Sequence, residues 1–209
     1  MAPVSAQKMR RAVQEISAHD AKLAKHIQSQ PLCTIGRTPS PETHFESLVA
    51  SVISQQLAIK AADTIHARLK TLAGGKITPQ KIVQLQESDL RSAGVSGAKI
   101  KTIQGLGHAA LTGEVAINDL HLLEDDEEIF RQLTSLWGIG PWTVDMFMMF
   151  QLGRLDIWPT GDLGVRRGWE KIHSLKDEIE PKKLEITGEK FRPYRSVVAW
   201  YCWRATDSK

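Results

Sequence analysis

The stretch LWGIGPWTVDMFMMFQLGRLDIWPTGDLGVRRGW, residues 136–169, sets two glycines around one isoleucine and later carries a single acid, Asp162, ahead of a basic segment. Gly138 and Gly140 have no side chain, so the chain can reverse between two helices within a few residues. The amides of such a turn point outward and bind a phosphate well. Because amides read no bases, this hairpin is suited to hold nucleic acid without selecting a sequence. A purely structural turn between two helices is the alternative.

The 209 residues have the composition of an ordinary globular protein with one or two domains. We find neither a charged-then-apolar leader nor an apolar run of about twenty residues, so we expect the protein inside the cell. Cys33 and Cys202 lack paired spacing, which excludes a cysteine-ligated zinc or iron–sulfur site; we expect both to be reduced and half-buried. The seven histidines show no ligand spacing, so no metal held by side chains is expected.

Charge is unevenly distributed along the chain, although the net charge is only +3. Residues 60–109 contain eight Lys or Arg and three acids, whereas EDDEE at 124–128 gathers five acids. A protein with one phosphate-facing side and one solvent-facing side would show this asymmetry. Two solvated helix faces would show it as well.

Helix signals dominate and strand alternation is nearly absent, which predicts an all-α fold. In SPETHFESLVASVISQQL, residues 40–57, Ser40 as N-cap and Pro41 at the first helical position predict a helix start. Thr78 predicts a further start by the same reasoning. We expect RPYRSVVAWYCWRA, residues 192–205, to be a terminal helix because no partner strand is evident.

The segment WTVDMFMMFQL, residues 142–152, is apolar on nearly all sides, which predicts a helix at the centre of the core. Four of the six tryptophans are assigned to packing. They are Trp137, Trp158, Trp169 and Trp200.

Four segments, in the same order, resemble the alkylbase (3-methyladenine) DNA glycosylases of bacteria and fungi, within the helix-hairpin-helix superfamily. They are HFESLVASVISQQLAIKAA at 44–62, LWGIGPWTVDMF at 136–147, DIWPTGDLGVRRG at 156–168 and RPYRSVVAWYCWR at 192–204. Together they span most of the chain. The resemblance implies base excision repair, in which hydrolysis of the N-glycosidic bond releases purines alkylated at N3 or N7 and leaves an abasic site.

By that resemblance Asp162 corresponds to the catalytic aspartate. Departure of a purine builds positive charge on the deoxyribose, and a fixed carboxylate beside that carbon stabilises the developing oxocarbenium ion. The same carboxylate can orient or deprotonate the attacking water. The structural alternative is an N-cap of the following helix, and one side chain can serve both roles.

The resemblance implies that Trp142, Met146, Leu163 and Trp203 line the base pocket. Aromatic faces attract a desolvated cationic base by roughly 0.5 to 2 kcal/mol, whereas core packing of both tryptophans is the alternative. In the lyase branch of the superfamily the position of Trp142 carries a lysine that forms a Schiff base, which tryptophan cannot do. We therefore expect a monofunctional glycosylase without lyase activity and without a cofactor.

Extrusion of a base from the duplex requires a wedge that fills the gap. The resemblance assigns this role to Gln56 and Leu57, entering from the minor groove; burial of Leu57 in the core is the alternative. The residues expected at DNA phosphates are Gly138, Ile139, Gly140, Trp142, Thr143, Lys60, Lys99 and Lys101. Hairpin carbonyls near Gly138 offer oxygen ligands to a monovalent cation.

Three positions depart from the family pattern. Ala58 stands where relatives usually carry serine, Met146 where some bacterial relatives have an aromatic residue, and Leu163 where some have tyrosine. These differences leave open a second function, a non-catalytic or weakly catalytic protein that binds abasic or damaged DNA. The presence of Asp162 argues against it, because a binder needs no acid beside a phosphate-rich ligand. A structural module within a larger repair assembly is a third hypothesis.

The expected architecture has two lobes with the DNA-binding cleft between them. Residues 33–150 are expected to form a six-helix lobe with the wedge and the hairpin. Residues 1–32 and 151–209 are expected to form the second lobe, with Asp162 and the terminal helix. The expected partner is double-stranded DNA containing alkylated bases or abasic sites. The protein is expected to act as a monomer with the DNA, in a nucleus or a nucleoid.

Overall fold

The computed structural model describes residues 3–207, and every regular element in that range is helical, which confirms the all-α prediction. The α-helices are α1 (Ala6–His19), α2 (Ala21–Gln28), α3 (His44–Ser54), α4 (Ile59–Leu72), α5 (Pro79–Gln84), α6 (Glu87–Ser92), α7 (Gly97–Thr112), α8 (Asp126–Thr134), α9 (Pro141–Met146), α10 (Leu163–His173), α11 (Pro181–Gly188) and α12 (Arg195–Asp207). Ile117–Leu122 and Glu189–Phe191 are 3-10 helices. Within the described residues, no helix has the length and apolar character needed to cross a membrane.

The chain divides into two compact units. Ser40–Phe147 forms one of them, which we call the hairpin unit, and it contains α3 to α9. The segments before and after it form the other, which we call the aspartate unit, with α1, α2 and α10 to α12. The range 33–150 predicted for the first lobe extends beyond the hairpin unit at both ends.

The predicted start of α3 at Pro41 is wrong, because α3 begins at His44. Thr43 is the N-cap instead of Ser40, since Thr43 Oγ1 accepts a hydrogen bond from the Glu46 amide at 3.2 Å. A side-chain oxygen placed in this way satisfies an amide that the first turn of the helix leaves unpaired. The helix ends at the turn that carries the expected wedge.

The segment predicted as one helix over residues 142–152 changes character in the middle. α9 ends at Met146, and a π-helical turn, Phe147–Gln151, follows. A π-turn widens the helix by one residue per turn and therefore changes which side chains face the core. The first three residues of this turn are buried, whereas Phe150 is 50% exposed.

α10 and α12 pack closely within the aspartate unit. A Cβ atom at Gly168 would lie 2.0 Å from the Cys202 carbonyl oxygen, so glycine is what allows the two helices to approach this far. α10 begins beside Asp162, and α12 carries Trp203. The contact therefore fixes the two helices that bear these candidate site residues.

The structure corrects two minor predictions. Cys33 and Cys202 are free thiols, but both are fully buried and not half-buried. Burial raises the pKa of both thiols, that of Cys33 to about 12, so both stay protonated at neutral pH. Trp137 is 55% exposed, so its assignment to packing is wrong. The other three tryptophans of that group are buried, as predicted: Trp158, Trp169 and Trp200.

Candidate active site and DNA-binding hairpin

Residues 135–140 form the hairpin turn between α8 and α9. Gly138 has a φ of +80°, and a Cβ atom there would lie 2.0 Å from Thr102 Oγ1 of α7. Both the backbone angle and this contact require glycine. Gly140 differs, because its φ of −96° suits any residue and a Cβ atom would meet nothing within 4 Å. The turn therefore requires the conformational freedom of glycine at Gly138 but not at Gly140.

The hairpin amides are only partly used by the fold. The Thr143 amide donates to the Gly140 carbonyl at 3.0 Å, and the Ile139 amide donates to the Leu136 carbonyl at 3.2 Å. The amides of Gly138 and Gly140 donate no hydrogen bond to any other residue of the part of the chain that the structure describes. These two donors are therefore available to an anion.

Gln55, at the C-terminal end of α3, is bonded to the hairpin. Its Nε2 donates to the Gly138 carbonyl at 3.1 Å and to Thr143 Oγ1 at 2.9 Å. The turn after α3 and the hairpin are thereby held together. The carbonyl expected to serve a monovalent cation already accepts a hydrogen bond, so a cation there would share that oxygen with Gln55.

The three lysines expected at phosphates have different surroundings. Lys99 Nζ donates to the carbonyl oxygens of Ile53 and Gln55 at 2.7 and 2.8 Å, and burial lowers the pKa of Lys99. It satisfies the carbonyls at the C-terminal end of α3, a role that the sequence did not predict. Lys60 and Lys101 are exposed and can reach a polyanion.

The expected wedge lies in the turn after α3. Gln56 has a φ of +55°, a left-handed conformation that residues with a side chain rarely adopt. Leu57 is 39% exposed, so the alternative that it is a core residue is wrong. An unfavourable backbone conformation at an exposed tip is typical of residues that act on a partner.

Asp162 is the N-cap of α10, as one of its two predicted roles requires. Its Oδ1 accepts a hydrogen bond from the Val165 amide at 2.8 Å and another from the Trp203 indole N–H at 2.8 Å. A Cβ atom at Gly164 would lie 2.8 Å from Trp203 Cδ1, so glycine allows the indole to approach. Two donors on one oxygen fix the orientation of this half-buried carboxylate.

The first turn of α12 holds the segment that precedes Asp162. The Arg195 guanidinium, 9% exposed, donates to Asp156 Oδ1 and to the Asp156 carbonyl, both at 2.9 Å. Ser196 Oγ accepts a hydrogen bond from the Ile157 amide at 2.8 Å. A buried ion pair with this many hydrogen bonds costs several kcal/mol to break. The pair therefore fixes the conformation of the chain segment that leads to Asp162. Sequence reasoning did not identify these residues.

The other end of α10 is held by a network of charges. His173 Nε2 lies 3.0 Å from Asp20 Oδ2, and Lys190 Nζ donates to the same oxygen at 3.1 Å. Burial raises the pKa of Asp20, but hydrogen bonds from the Leu23 amide, His173 and Lys190 outweigh it and hold the pKa at about 2. The His173 ring stacks on Trp169 with centroids 3.9 Å apart. α10 is thus anchored at both ends.

An aromatic surface adjoins Asp162 in the aspartate unit. The Trp203 ring, bonded to Asp162, packs against Phe150 with centroids 5.6 Å apart. Phe150 and Leu163 are 50% and 46% exposed. Phe150 was missed in the sequence, because the π-turn exposes a residue that a regular helix pattern assigns to the core.

Two of the expected pocket residues belong to the hairpin unit. Trp142 is half-buried at the second position of α9, and Met146 is buried with 9% exposure. The contact of either residue with a base stays a prediction.

A cluster of possible metal ligands lies at the N-terminal end of α3 and on α4, in the hairpin unit. One ligand atom each from Glu42, Glu46 and His66 lies within 4.8 Å of the others. Glu46 Oε1 already accepts a hydrogen bond from Lys70 Nζ at 2.6 Å. Because an ion would have to displace this ammonium group, we assign no metal to the cluster.

Residues 49–193 match the family model for HhH-GPD superfamily base excision DNA repair proteins. DNA-3-methyladenine glycosylase 1 of Schizosaccharomyces pombe is 32% identical over 174 residues, which cover 81% of this chain and 75% of that protein. The crystal structure of a DNA-3-methyladenine glycosidase from Bacillus halodurans is 35% identical, with a TM-score of 0.79, and the match covers 94% of this chain and 89% of the other. The structure of S. pombe 3-methyladenine DNA glycosylase in complex with abasic DNA is 30% identical, with a TM-score of 0.82 and coverage of 93% and 95%. The chain therefore belongs to the HhH-GPD superfamily of base excision DNA repair proteins.

Proposed function

We propose that this chain hydrolyses the N-glycosidic bond of alkylated purines in double-stranded DNA, releases the free base and leaves an abasic site. Its family and its relatives, which carry the name 3-methyladenine glycosylase, support a DNA glycosylase activity. The preferred substrates are purines that carry a positive charge after methylation at N3 or N7. The protein acts as a monomer with the DNA, in a nucleus or a nucleoid.

The observation that carries the proposal is the fixed carboxylate of Asp162. The Val165 amide and the Trp203 indole both donate to one of its oxygens, at 2.8 Å each. A group that stabilises a transition state is most effective when it does not have to reorient during the reaction. The hydrogen bonds that make Asp162 an N-cap therefore also suit it to catalysis.

In the proposed reaction the bond between C1′ and the purine nitrogen breaks, and the electron pair leaves with the base. The pair neutralises the positive ring, so the base departs without protonation by a general acid. The deoxyribose becomes an oxocarbenium ion, which the Asp162 carboxylate stabilises. Water then adds to C1′ and loses a proton, which Asp162 accepts or directs to solvent.

The aromatic surface beside Asp162 fits a cationic base. The faces of Trp203 and Phe150 attract a positive ring by roughly 0.5 to 2 kcal/mol. We propose Leu163, Trp142 and Met146 as further base contacts. Because Trp142 offers no amine, a Schiff base with the sugar does not form at this position, and the reaction stops at the abasic site.

DNA contacts follow from the available donors and exposed side chains of the hairpin unit. The amides of the two hairpin glycines are proposed to bind a backbone phosphate, and the exposed ammonium groups of Lys60 and Lys101 add sequence-independent attraction. Gln56 and Leu57 are proposed to enter the duplex as the wedge.

Asp162→Asn tests the proposal. The asparagine keeps the oxygen that accepts from Val165 and Trp203, so the cap persists, but the negative charge is lost. We expect the release of 3-methyladenine and 7-methylguanine from methylated DNA, measured by chromatography of the free bases, to fall by about 10²- to 10³-fold. Binding to an abasic-site duplex should persist. Asp177→Asn removes an exposed carboxylate from the same unit and should leave base release unchanged.

A second variant, Trp203→Phe, keeps an aromatic face but removes the indole donor. Hydrogen bonds to charged groups contribute about 1.5 kcal/mol or more, so kcat should fall by roughly tenfold or more.

Undiminished base release by Asp162→Asn would remove this aspartate from the mechanism. Wild-type protein that binds the abasic duplex but releases no base would instead establish the alternative, a damage-binding protein.

A further inference from the structure

Trp137 lies immediately before Gly138 of the hairpin and is 55% exposed. Large aromatic side chains seldom remain this exposed without a partner, because burial of their apolar surface is favourable. The Nζ atom of Lys101 lies 4.2 Å from the centroid of the Trp137 ring, well within the range of a cation–π interaction. The two residues are brought together by α7 and the hairpin, 36 positions apart in sequence (137 − 101).

The main chain next to Trp137 is held against α7 by Gly138 and Thr102. Thr102, next to Lys101, occupies the space where a Cβ atom of Gly138 would lie, with Oγ1 2.0 Å from that position. Thr102 is itself buried, and its Oγ1 donates to the Ala98 carbonyl at 3.0 Å. Two consecutive residues of α7 therefore face two consecutive residues of the hairpin, and this packing holds the main chain that carries Trp137 beside Lys101.

The interaction leaves the charge of Lys101 available. Lys70 pairs with the Glu46 carboxylate at 2.6 Å, and Lys99 donates to main-chain carbonyls. Within residues 3–207, Lys101 pairs with no carboxylate, and an aromatic face attracts an ammonium group without neutralising it. The ring thus restricts where the ammonium group lies, next to the hairpin turn, at little cost to its attraction for a phosphate.

We propose that Trp137 and Lys101 form a single contact for the DNA backbone, in which the indole ring positions the ammonium group for a phosphate beside the hairpin. Trp137 is a positioning residue that acts through Lys101. The proposal rests on the proposed function in one respect, that the hairpin unit binds DNA. It makes no use of the chemistry at Asp162.

The test is the salt dependence of binding to an abasic-site duplex, measured by fluorescence anisotropy for Trp137→Leu, Lys101→Gln and the double variant. Loss of one phosphate contact makes the slope of log K against log salt shallower by about 0.9. We expect this change for Lys101→Gln, and a smaller change in the same direction for Trp137→Leu. Trp137→Leu should weaken binding about two- to fivefold at moderate salt. The double variant should bind no more weakly than Lys101→Gln.

Two matched variants separate positioning from other effects. Trp137→Phe retains an aromatic face and should restore part of the affinity that leucine loses. Lys76→Gln removes an exposed charge from another turn of the same unit and should leave the slope unchanged. In the base-release assay, Trp137→Leu should raise KM while kcat stays constant.

The proposal is overturned if Trp137→Leu lowers only the melting temperature and leaves affinity and slope unaltered. It is equally overturned if the single effects add fully in the double variant, or if Lys76→Gln changes the slope as much as Lys101→Gln does. Since these measurements report binding, they give an answer even if the wild-type protein releases no base. Failure of this proposal and failure of the proposed function are therefore distinguishable.

Discussion

Glycine serves two different purposes at the candidate sites of the hairpin unit and the aspartate unit. In the aspartate unit, Cβ atoms at Gly164 and Gly168 would lie 2.8 Å from Trp203 and 2.0 Å from Cys202. In the hairpin unit, a Cβ atom at Gly140 would meet nothing within 4 Å. The absence of a side chain therefore allows close packing in the aspartate unit and at Gly138, whereas at Gly140 it leaves the main chain uncovered.

The two regions also differ in the groups that they present. The aspartate unit surrounds one carboxylate with donors from α10 and α12, so that its orientation is fixed. The hairpin unit has main-chain amides that bond no other described residue and exposed lysines, and such groups bind phosphate without regard to base sequence. This division matches the needs of an enzyme whose chemistry is confined to one atom and whose grip on DNA must be independent of sequence.

The largest loss of stability is expected at Gly168, where the absence of a side chain allows α10 and α12 to come into contact. Gly168→Ala would place a methyl group against the main-chain carbonyl of Cys202, which cannot rotate away as a side chain does. α10 and α12 would have to separate, at a cost of about 3 kcal/mol or more in the free energy of unfolding. Thermal and urea unfolding would measure this loss of unfolding free energy.

Gly105→Ala is the matched control for that prediction. Gly105 also lies within a helix, α7, but a Cβ atom there meets nothing within 4 Å. The higher helix propensity of alanine should make this variant about 0.5 to 1 kcal/mol more stable. If Gly168→Ala were as stable as Gly105→Ala, the close approach of α10 and α12 would not be what fixes Asp162.

The next largest loss of stability is expected at Gly138 of the hairpin turn, where Thr102 lies against the Cβ position. Gly138→Ala combines a left-handed φ of +80° with a collision against Thr102, so we expect a loss of about 2 to 3 kcal/mol in unfolding free energy. Gly113→Ala, at φ +77° with nothing within 4 Å, should lose only the backbone part, about 1 to 2 kcal/mol. Equal losses in the two variants would show that Thr102 does not constrain the hairpin.

Local chemistry made much of the fold predictable from the sequence. Thr78 caps α5 and Asp162 caps α10 as predicted, because a side-chain oxygen that bonds an amide two or three residues ahead needs no distant partner. The terminal helix α12 is present as predicted, but it begins at Arg195 and not at residue 192. α3 also starts later than predicted, since Thr43 and not Ser40 is its cap.

The contacts that complete the candidate site could not be predicted in this way, because they join residues far apart in the chain. Trp203 reaches Asp162 across 41 positions, and Lys99 reaches the carbonyl of Gln55 across 44. Phe150 is exposed because a π-turn interrupts the regular helix, and no local signal marks that turn. The residue types indicated the chemistry of the candidate site, whereas tertiary packing determined which side chains are exposed there and which already have partners.

The smallest expected effect, and the sharpest distinction between the two uses of glycine, comes from Gly140→Ala. Its φ of −96° suits alanine and no atom lies within 4 Å of the added methyl group, so unfolding should be unchanged. The methyl group would instead obstruct the approach of a phosphate to the hairpin amides. We expect affinity for an abasic-site duplex to fall by roughly tenfold, the equivalent of about 1.4 kcal/mol, for loss of one charge-assisted hydrogen bond.

The control for Gly140→Ala is a methyl group added to a different exposed turn of the same unit. Gly75→Ala also meets nothing within 4 Å and should leave DNA affinity unchanged, although its φ of +87° costs some stability. We expect Gly140→Ala to fold normally but bind poorly, and Gly75→Ala to fold less well but bind normally. This pair of results would separate the role of a glycine in DNA binding from its role in stability. Normal DNA binding by Gly140→Ala would mean that the open space at this glycine is not where the backbone of the DNA lies.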